Sequence, residues 1–135
     1  MIAFQDTLAF VAAVDRRDQY HAAVVAYLSG YAGKLITTEW VVVESLDSLA
    51  EPVYRSSALK MIDRLRSDPG VEIIGFETGF YSAGFQLFRS RPDKNWSLTD
   101  CISFVVMEER KLTDALTADH HFRQAGFNPI FEKVP

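Results

Sequence analysis

The chain has one cysteine, Cys101, so no internal disulfide can form and a reducing compartment is compatible with its composition. Cys101 sits in an apolar run with Ile102, Phe104, Val105 and Val106, where packing is the expected role of a thiol rather than nucleophilic attack. No apolar run approaches the roughly 20 residues needed to cross a membrane. The first residues, Met1 to Asp6, carry neither a basic region nor a signal-peptide run, which makes a cytoplasmic location the default expectation, with no membrane partner. There is no glycine-rich phosphate loop, no internal repeat, no low-complexity segment and no linker, so 135 residues fit one domain over 1–135. Positive charge is also scarce. A net charge of −4 argues against a DNA-reading module, which is normally basic, but not against a nuclease whose carboxylates are neutralised by bound cations.

What the chain does have is an alternation of short β-branched or apolar runs with helical periodicity. Ile2-Ala3-Phe4, Leu35 to Thr38, Val71 to Ile74, Ala115-Leu116-Thr117 and Pro129-Ile130-Phe131 read as strands. Helices are expected over Thr7–Val14, from Gln19 (capped by Asp18) to Ser29, from Glu39 to about Ala50, from Pro52, over Glu77–Phe88, from Ser97 to about Arg110, and from Asp119 to a stop at Gly126. Strands alternating with helices predict a three-layer α/β/α sandwich around a mostly parallel sheet. Ligands of such sheets bind beyond the carboxyl ends of the strands.

Four acids fall at that edge. Asp6 and Asp119 follow strands, and Glu44 and Asp100 lie near the starts of helices. Each has a plain structural explanation: Asp100 completes a Ser97-Leu98-Thr99-Asp100 capping box, Asp119 can be an N-cap, Glu44 shares an acidic face with Asp47 and Glu51, and Asp6 can be a turn residue. Together they mean more. Two carboxylates about 5 Å apart repel by about 3 kcal/mol at an effective dielectric near 20, so a convergent quartet implies a cation or raised pKa values. Oxygen donors without a Cys/His cluster favour Mg²⁺, with Mn²⁺ as the alternative, over Zn²⁺. The adjacent His120 and His121 are expected to point apart, which argues against a two-histidine zinc site.

Other phosphate chemistries fit less well. A haloacid-dehalogenase-type phosphatase needs a second acid two positions after its nucleophile, where this chain has Leu8. A receiver domain needs an acidic pair and a late lysine that are not evident.

Asp6-Thr7, Asp18 and His21, Thr37-Thr38-Glu39-Trp40-Val41 leading to Glu44, Trp96-Ser97-Leu98-Thr99-Asp100-Cys101, Leu116-Thr117-Ala118-Asp119-His120-His121-Phe122 and Ala125-Gly126-Phe127 together resemble the PIN-domain nucleases. The likeness is greatest to the VapC-like ribonuclease toxins of type II toxin–antitoxin systems and spans nearly the whole chain. Leu8 departs from the small or polar residue common there. The resemblance implies a catalytic quartet of Asp6, Glu44, Asp100 and Asp119. Asp6, Asp100 and Asp119 would be metal ligands, Glu44 would be a further ligand or position the attacking water, and the hydroxyls of Thr7 and Thr117 would orient carboxylates or water. It implies Mg²⁺-dependent endoribonuclease activity on RNA, a cognate antitoxin as partner and a homodimer.

Arg89, Arg91 and Lys94 form the one clear basic loop and are candidates for holding RNA phosphates, with Trp96 either stacking on a base or wedged into the core. Phe80, Tyr81, Phe85 and Phe88 recur at helical spacing, as core or as an interface. Two rivals to the ribonuclease reading are a PIN-like scaffold that binds RNA or protein without cleaving, and another Mg²⁺-dependent phosphate-ester hydrolase. Four retained acids favour the enzyme, because a scaffold has no need to gather repelling charges.

Overall fold

In a computed structural model, which describes residues 1–132, the chain forms five strands and seven helices among those residues. The strands are β1 (Ile2–Gln5), β2 (Lys34–Thr38), β3 (Val71–Ile74), β4 (Asp114–Leu116) and β5 (Asn128–Pro129). The helices are α1 (Thr7–Val14), α2 (His21–Ser29), α3 (Glu39–Ser48), α4 (Pro52–Ser67), α5 (Thr78–Ser90), α6 (Leu98–Glu109) and α7 (His120–Gln124). The sheet order is β3-β2-β1-β4-β5, with every pairing parallel. This is the three-layer sandwich expected from the alternation of elements.

The period-2 geometry of a strand explains the layers. Phe4, Ile36, Ile74 and Ala115 face a core built with Phe80 of α5 and Ile102, Phe104 and Val106 of α6. Their neighbours Ala3, Leu35 and Leu116 point the other way, onto Ala9 and Ala12 of α1 and Val24 of α2. A third cluster seals α1, α3 and α4 through Phe10, Val42, Ala58 and Ile62. At about 25 cal/mol per Å² of apolar area removed from water, these faces supply the main driving force for folding.

Several expected boundaries move by one or two residues, two of them for evident reasons. The second helix begins at His21, not Gln19, because Asp18 takes part in a turn: its carboxylate accepts the Tyr20 N–H at 2.8 Å and its carbonyl accepts the His21 N–H. The last strand is only Asn128–Pro129, since Pro129 has no N–H and the chain turns immediately, the Glu132 N–H reaching the Pro129 carbonyl. The helix stop at Gly126 is as expected. Gly126 adopts φ +98°, its N–H bonds the Arg123 carbonyl, and the Phe127 N–H bonds the Phe122 carbonyl, a Schellman closure.

Strand order positions the site. From β1 the chain passes outward to β2 and β3, then returns to the other side of β1 for β4 and β5. The crevice at this reversal lies beyond the carboxyl ends of β1 and β4, where Gln5 is in register with Leu116. Asp6 and Thr117 are the next residues on each strand, so backbone topology alone brings them together.

Candidate active site

Asp6 is buried, and one of its carboxylate oxygens accepts the Thr117 hydroxyl at 2.9 Å. Thr117 is itself fixed, its oxygen accepting the Asp119 N–H at 3.1 Å. Across β1, Thr37 donates to the Gln5 carbonyl at 2.8 Å and holds the end of β2 against it. Thr38 caps α3, accepting the Val41 N–H, so α3 starts at the same edge and Glu44 comes round one turn later. The Thr7 hydroxyl donates to Glu44 at 2.5 Å. Thr7 and Thr117 therefore each hold one carboxylate.

Asp100 has both roles weighed from the sequence. It closes the capping box with Ser97: its N–H reaches the Ser97 hydroxyl at 2.9 Å, and the Ser97 N–H reaches its carboxylate at 3.1 Å. The same carboxylate also lies at the crevice, close enough to Asp6 to disturb its ionisation. Asp119 caps α7 by accepting the His121 N–H at 2.9 Å.

The electrostatics record the convergence. Burial, followed by the charges of Asp100 and Glu44, raises the Asp6 pKa to about 7, against the opposing hydrogen bonds from the Thr7 N–H and the Thr117 hydroxyl. Asp100 is also raised, mainly by burial and additionally by Asp119, while the Ser97 N–H and His121 pull it down. The acids form a row in which Glu44 and Asp100 act on Asp6 and Asp119 acts on Asp100. Buried carboxyls destabilised as anions form a site that positive charge would stabilise.

One donor was missed. His121 Nδ1 lies 3.2 Å from Asp100 Oδ2 and 3.3 Å from Asp119 Oδ1, bridging the two. The expectation that adjacent imidazoles diverge is also incorrect here. The rings of His120 and His121 approach to 4.5 Å, and Asp119, His120 and His121 each offer a ligand atom within 4.8 Å of the others. As the cap and first two residues of α7, they occupy a single helical turn, so rotamer choice lets the rings meet. The visible signal was the Asp-His-His tripeptide itself. This tight group contains Asp119 but not Asp6 or Asp100, and it is suited to a divalent cation.

The basic loop is mostly committed to itself. Arg91 makes two 3.0 Å bonds to Asp93 and lies over Trp96 at 5.2 Å, Lys94 lies 6.0 Å from the same ring, and Arg89 covers Phe85 at 5.3 Å. Trp96 is in the core, edge-on to Phe104 and donating to Gln124, so no base stacks on it. Cys101 is buried and its thiol is pushed up to about 11 by burial and by Asp100, as a packing residue should be. Beside Glu44 lies a cavity of about 470 Å³ walled by Trp40, Phe76, Asp47 and Thr99, in which Trp40 and Phe76 meet edge-to-face at 5.3 Å.

Residues 3–128 match the model of the PIN domain. This chain belongs to the PIN-domain family. Solved structures share its architecture. VapC20 of Mycobacterium tuberculosis, described as a sarcin–ricin-loop-cleaving toxin, superposes with a TM-score of 0.87 at 19% identity, covering 96% of this chain and 98% of that one. VapBC2 of Rickettsia felis, solved bound to a DNA fragment from its promoter, gives a TM-score of 0.66 at 14% identity, covering 96% of each chain. FitAcB of Neisseria gonorrhoeae gives 0.65 at 21% identity, again covering 96% of each. At these identities the likeness is one of fold. Comparison with curated proteins finds no match to this PIN domain. The PIN-domain fold together with the acid–histidine cluster of this chain suggests metal-dependent nuclease activity.

Proposed function

We propose that this PIN domain is a metal-dependent endoribonuclease, and that it is the toxin of a VapC-like toxin–antitoxin pair. The observation that carries the hydrolytic reading is Asp6: a buried carboxyl at the sheet's reversal point, raised to about 7 by burial and by neighbouring Asp100 and Glu44. Groups so perturbed in a crevice mark sites of chemistry. The toxin reading is supported by the extent of the likeness to VapC20, over 96% of this chain.

Asp6, Asp100 and Asp119, which act on one another in a row, would hold a hard divalent cation, Mg²⁺ or Mn²⁺. Such an ion, when bound, would supply positive charge against the phosphoryl oxygens and would lower the pKa of the attacking water. The chain's own residues do the rest. Glu44, fixed by Thr7, accepts a proton from the attacking water. Thr117 keeps Asp6 aimed into the crevice. His121 holds Asp100 and Asp119 together. Trp40 and Phe76 offer flat faces for a nucleobase beside Glu44. Arg89 and Lys94, and more weakly the paired Arg91, would hold neighbouring phosphates.

Asp100→Asn tests this. Cleavage of RNA should fall at least a hundredfold while the circular dichroism spectrum is unchanged. EDTA should stop the wild type, and Mg²⁺ or Mn²⁺ should restore it. Equal rates for wild type and variant, or activity that survives exhaustive chelation, would refute the assignment.

A further inference from the structure

Away from the acids, the end of α1, the start of α2 and the middle of α4 enclose a second concavity of about 210 Å³. Its walls carry Arg16, His21, Ser57, Lys60 and Arg64 over a small apolar floor. Most other arginines are neutralised: Arg17 by Asp15, Arg66 by Glu39, Arg91 by Asp93, Arg110 by Glu72 and Arg123 by Glu132. Among the described residues, Arg16, Lys60 and Arg64 have no carboxylate within 4.0 Å, although the protein carries a net charge of −4. Lys60 and Arg64 are four residues apart on α4, so they share a face and repel. The imidazole is held in place, with Nδ1 2.6 Å from the Ala12 carbonyl.

Three exposed cations, one from the turn after α1 and two from α4, set around one hollow raise the local positive potential and so favour an anion there. Their donors come from the turn after α1 (Arg16), the start of α2 (His21) and α4, which supplies Lys60, Arg64 and the Ser57 hydroxyl. That arrangement suits the several outward oxygens of a tetrahedral phosphate better than a planar carboxylate, which a single guanidinium can satisfy. With a water taking ~30 Å³, the hollow holds the equivalent of roughly seven waters, room for a phosphate and part of its hydration.

We propose that this pocket binds a phosphate group and that, given the ribonuclease reading above, it holds a backbone phosphate of the RNA a few nucleotides from the bond that is cut. Helix α1 is the ruler. Asp6 precedes its first turn and Arg16 follows its last, and eight residues span about 12 Å. Only an RNA long enough to reach around that helix touches both sites.

The experiment compares a three-nucleotide RNA with one of about 20 nucleotides, using wild type, the neutral triple variant Arg16→Gln/Lys60→Gln/Arg64→Gln and the charge-preserving Arg16→Lys/Arg64→Lys. On the long RNA the neutral variant should raise KM about tenfold, with kcat kept, and flatten the log–log salt dependence by about 0.7, the value for one single-strand phosphate. Cleavage of the trinucleotide should be unchanged, and the charge-preserving variant should behave as wild type on both RNAs. If both RNAs are cut and the neutral variant shifts neither KM nor the salt slope, the inference is overturned while the nuclease reading stands. If wild type cuts neither RNA, the nuclease reading has failed, and with it the RNA phosphate as ligand. A parallel titration with inorganic phosphate, followed by the His21 resonances, tests the pocket independently. Saturable shifts in wild type that are lost in the neutral variant support a phosphate site. Equal shifts with acetate, or none with phosphate, overturn it.

Discussion

At the scale of single residues, Asp6 decides how the site responds to pH and metal. Its carboxyl keeps its proton in the folded, metal-free protein up to about pH 7, whereas an unfolded aspartate loses it near ~3.9. Between those values the folded state binds more protons than the unfolded one, so this group's contribution to stability falls as pH rises from about 4 to about 7. Asp6→Asn should abolish that decline and raise the melting temperature by several degrees in EDTA at pH 8; with Mg²⁺ present it should eliminate cleavage. Melts of both proteins at pH 5 and pH 8 check this; parallel pH dependences would show that Asp6 does not carry the strain. Histidine 121 teaches a different lesson at this scale. A rule about adjacent side chains failed because Asp119, His120 and His121 share one helical turn, where χ1 choice overrides sequence adjacency.

Among elements, the closest contact is α5 against α6. A Cβ on Gly84 would stand 2.4 Å from Ile102 Cγ1 and 2.9 Å from Ile102 Cα, so the helices touch because residue 84 has no side chain. Gly84→Ala must push α6 away, and α6 carries Asp100. We expect a loss of about 1–3 kcal/mol in urea unfolding, together with reduced cleavage, although residue 84 lies outside the site. Wild-type stability in that variant would mean that the helices separate at no cost. The end of α6 carries a smaller conflict. Lys111 adopts φ 56° where the Leu112 N–H closes onto the Met107 carbonyl, a position that favours glycine. The helical spacing of the α5 aromatics was legible in the sequence, but the allocation of their faces was not. Phe80 is buried, whereas Tyr81, Phe85 and Phe88 are 44%, 38% and 47% exposed, because α6 covers only the side that bears Gly84.

For the molecule as a whole, Tyr81, Phe85 and Phe88 form an uncovered aromatic strip along α5, in which the Tyr81 and Phe85 rings lie 6.2 Å apart. We expect a second copy of this chain to cover it. Sedimentation equilibrium at micromolar concentration should find a dimer of wild type, and Tyr81→Ser/Phe85→Ser should shift it towards monomer with its fold intact; a wild type that stays monomeric would overturn this expectation. No helix among the described residues is long and apolar enough to cross a membrane. Charge is divided across the molecule, with the acid row at the carboxyl edge of the sheet and the unpaired Arg16, Lys60 and Arg64 at the far end of α1.

The sequence by itself determined the layers and most of the punctuation, because strand and helix periods, the Ser97–Asp100 capping box and the Gly126 stop are local consequences of backbone geometry and short-range hydrogen bonds. It also singled out four acids, of which Asp6, Asp100 and Asp119 stand at helix starts and Glu44 in the middle of α3. Only the tertiary structure decided that Thr117 holds Asp6 and Thr7 holds Glu44, that His121 bridges two of the acids, and that Arg91 and Trp96 are occupied within the protein. Those outcomes depend on strand order, which brings residues up to 111 positions apart into hydrogen bonding and is set by burial summed over the whole chain rather than by any segment of it.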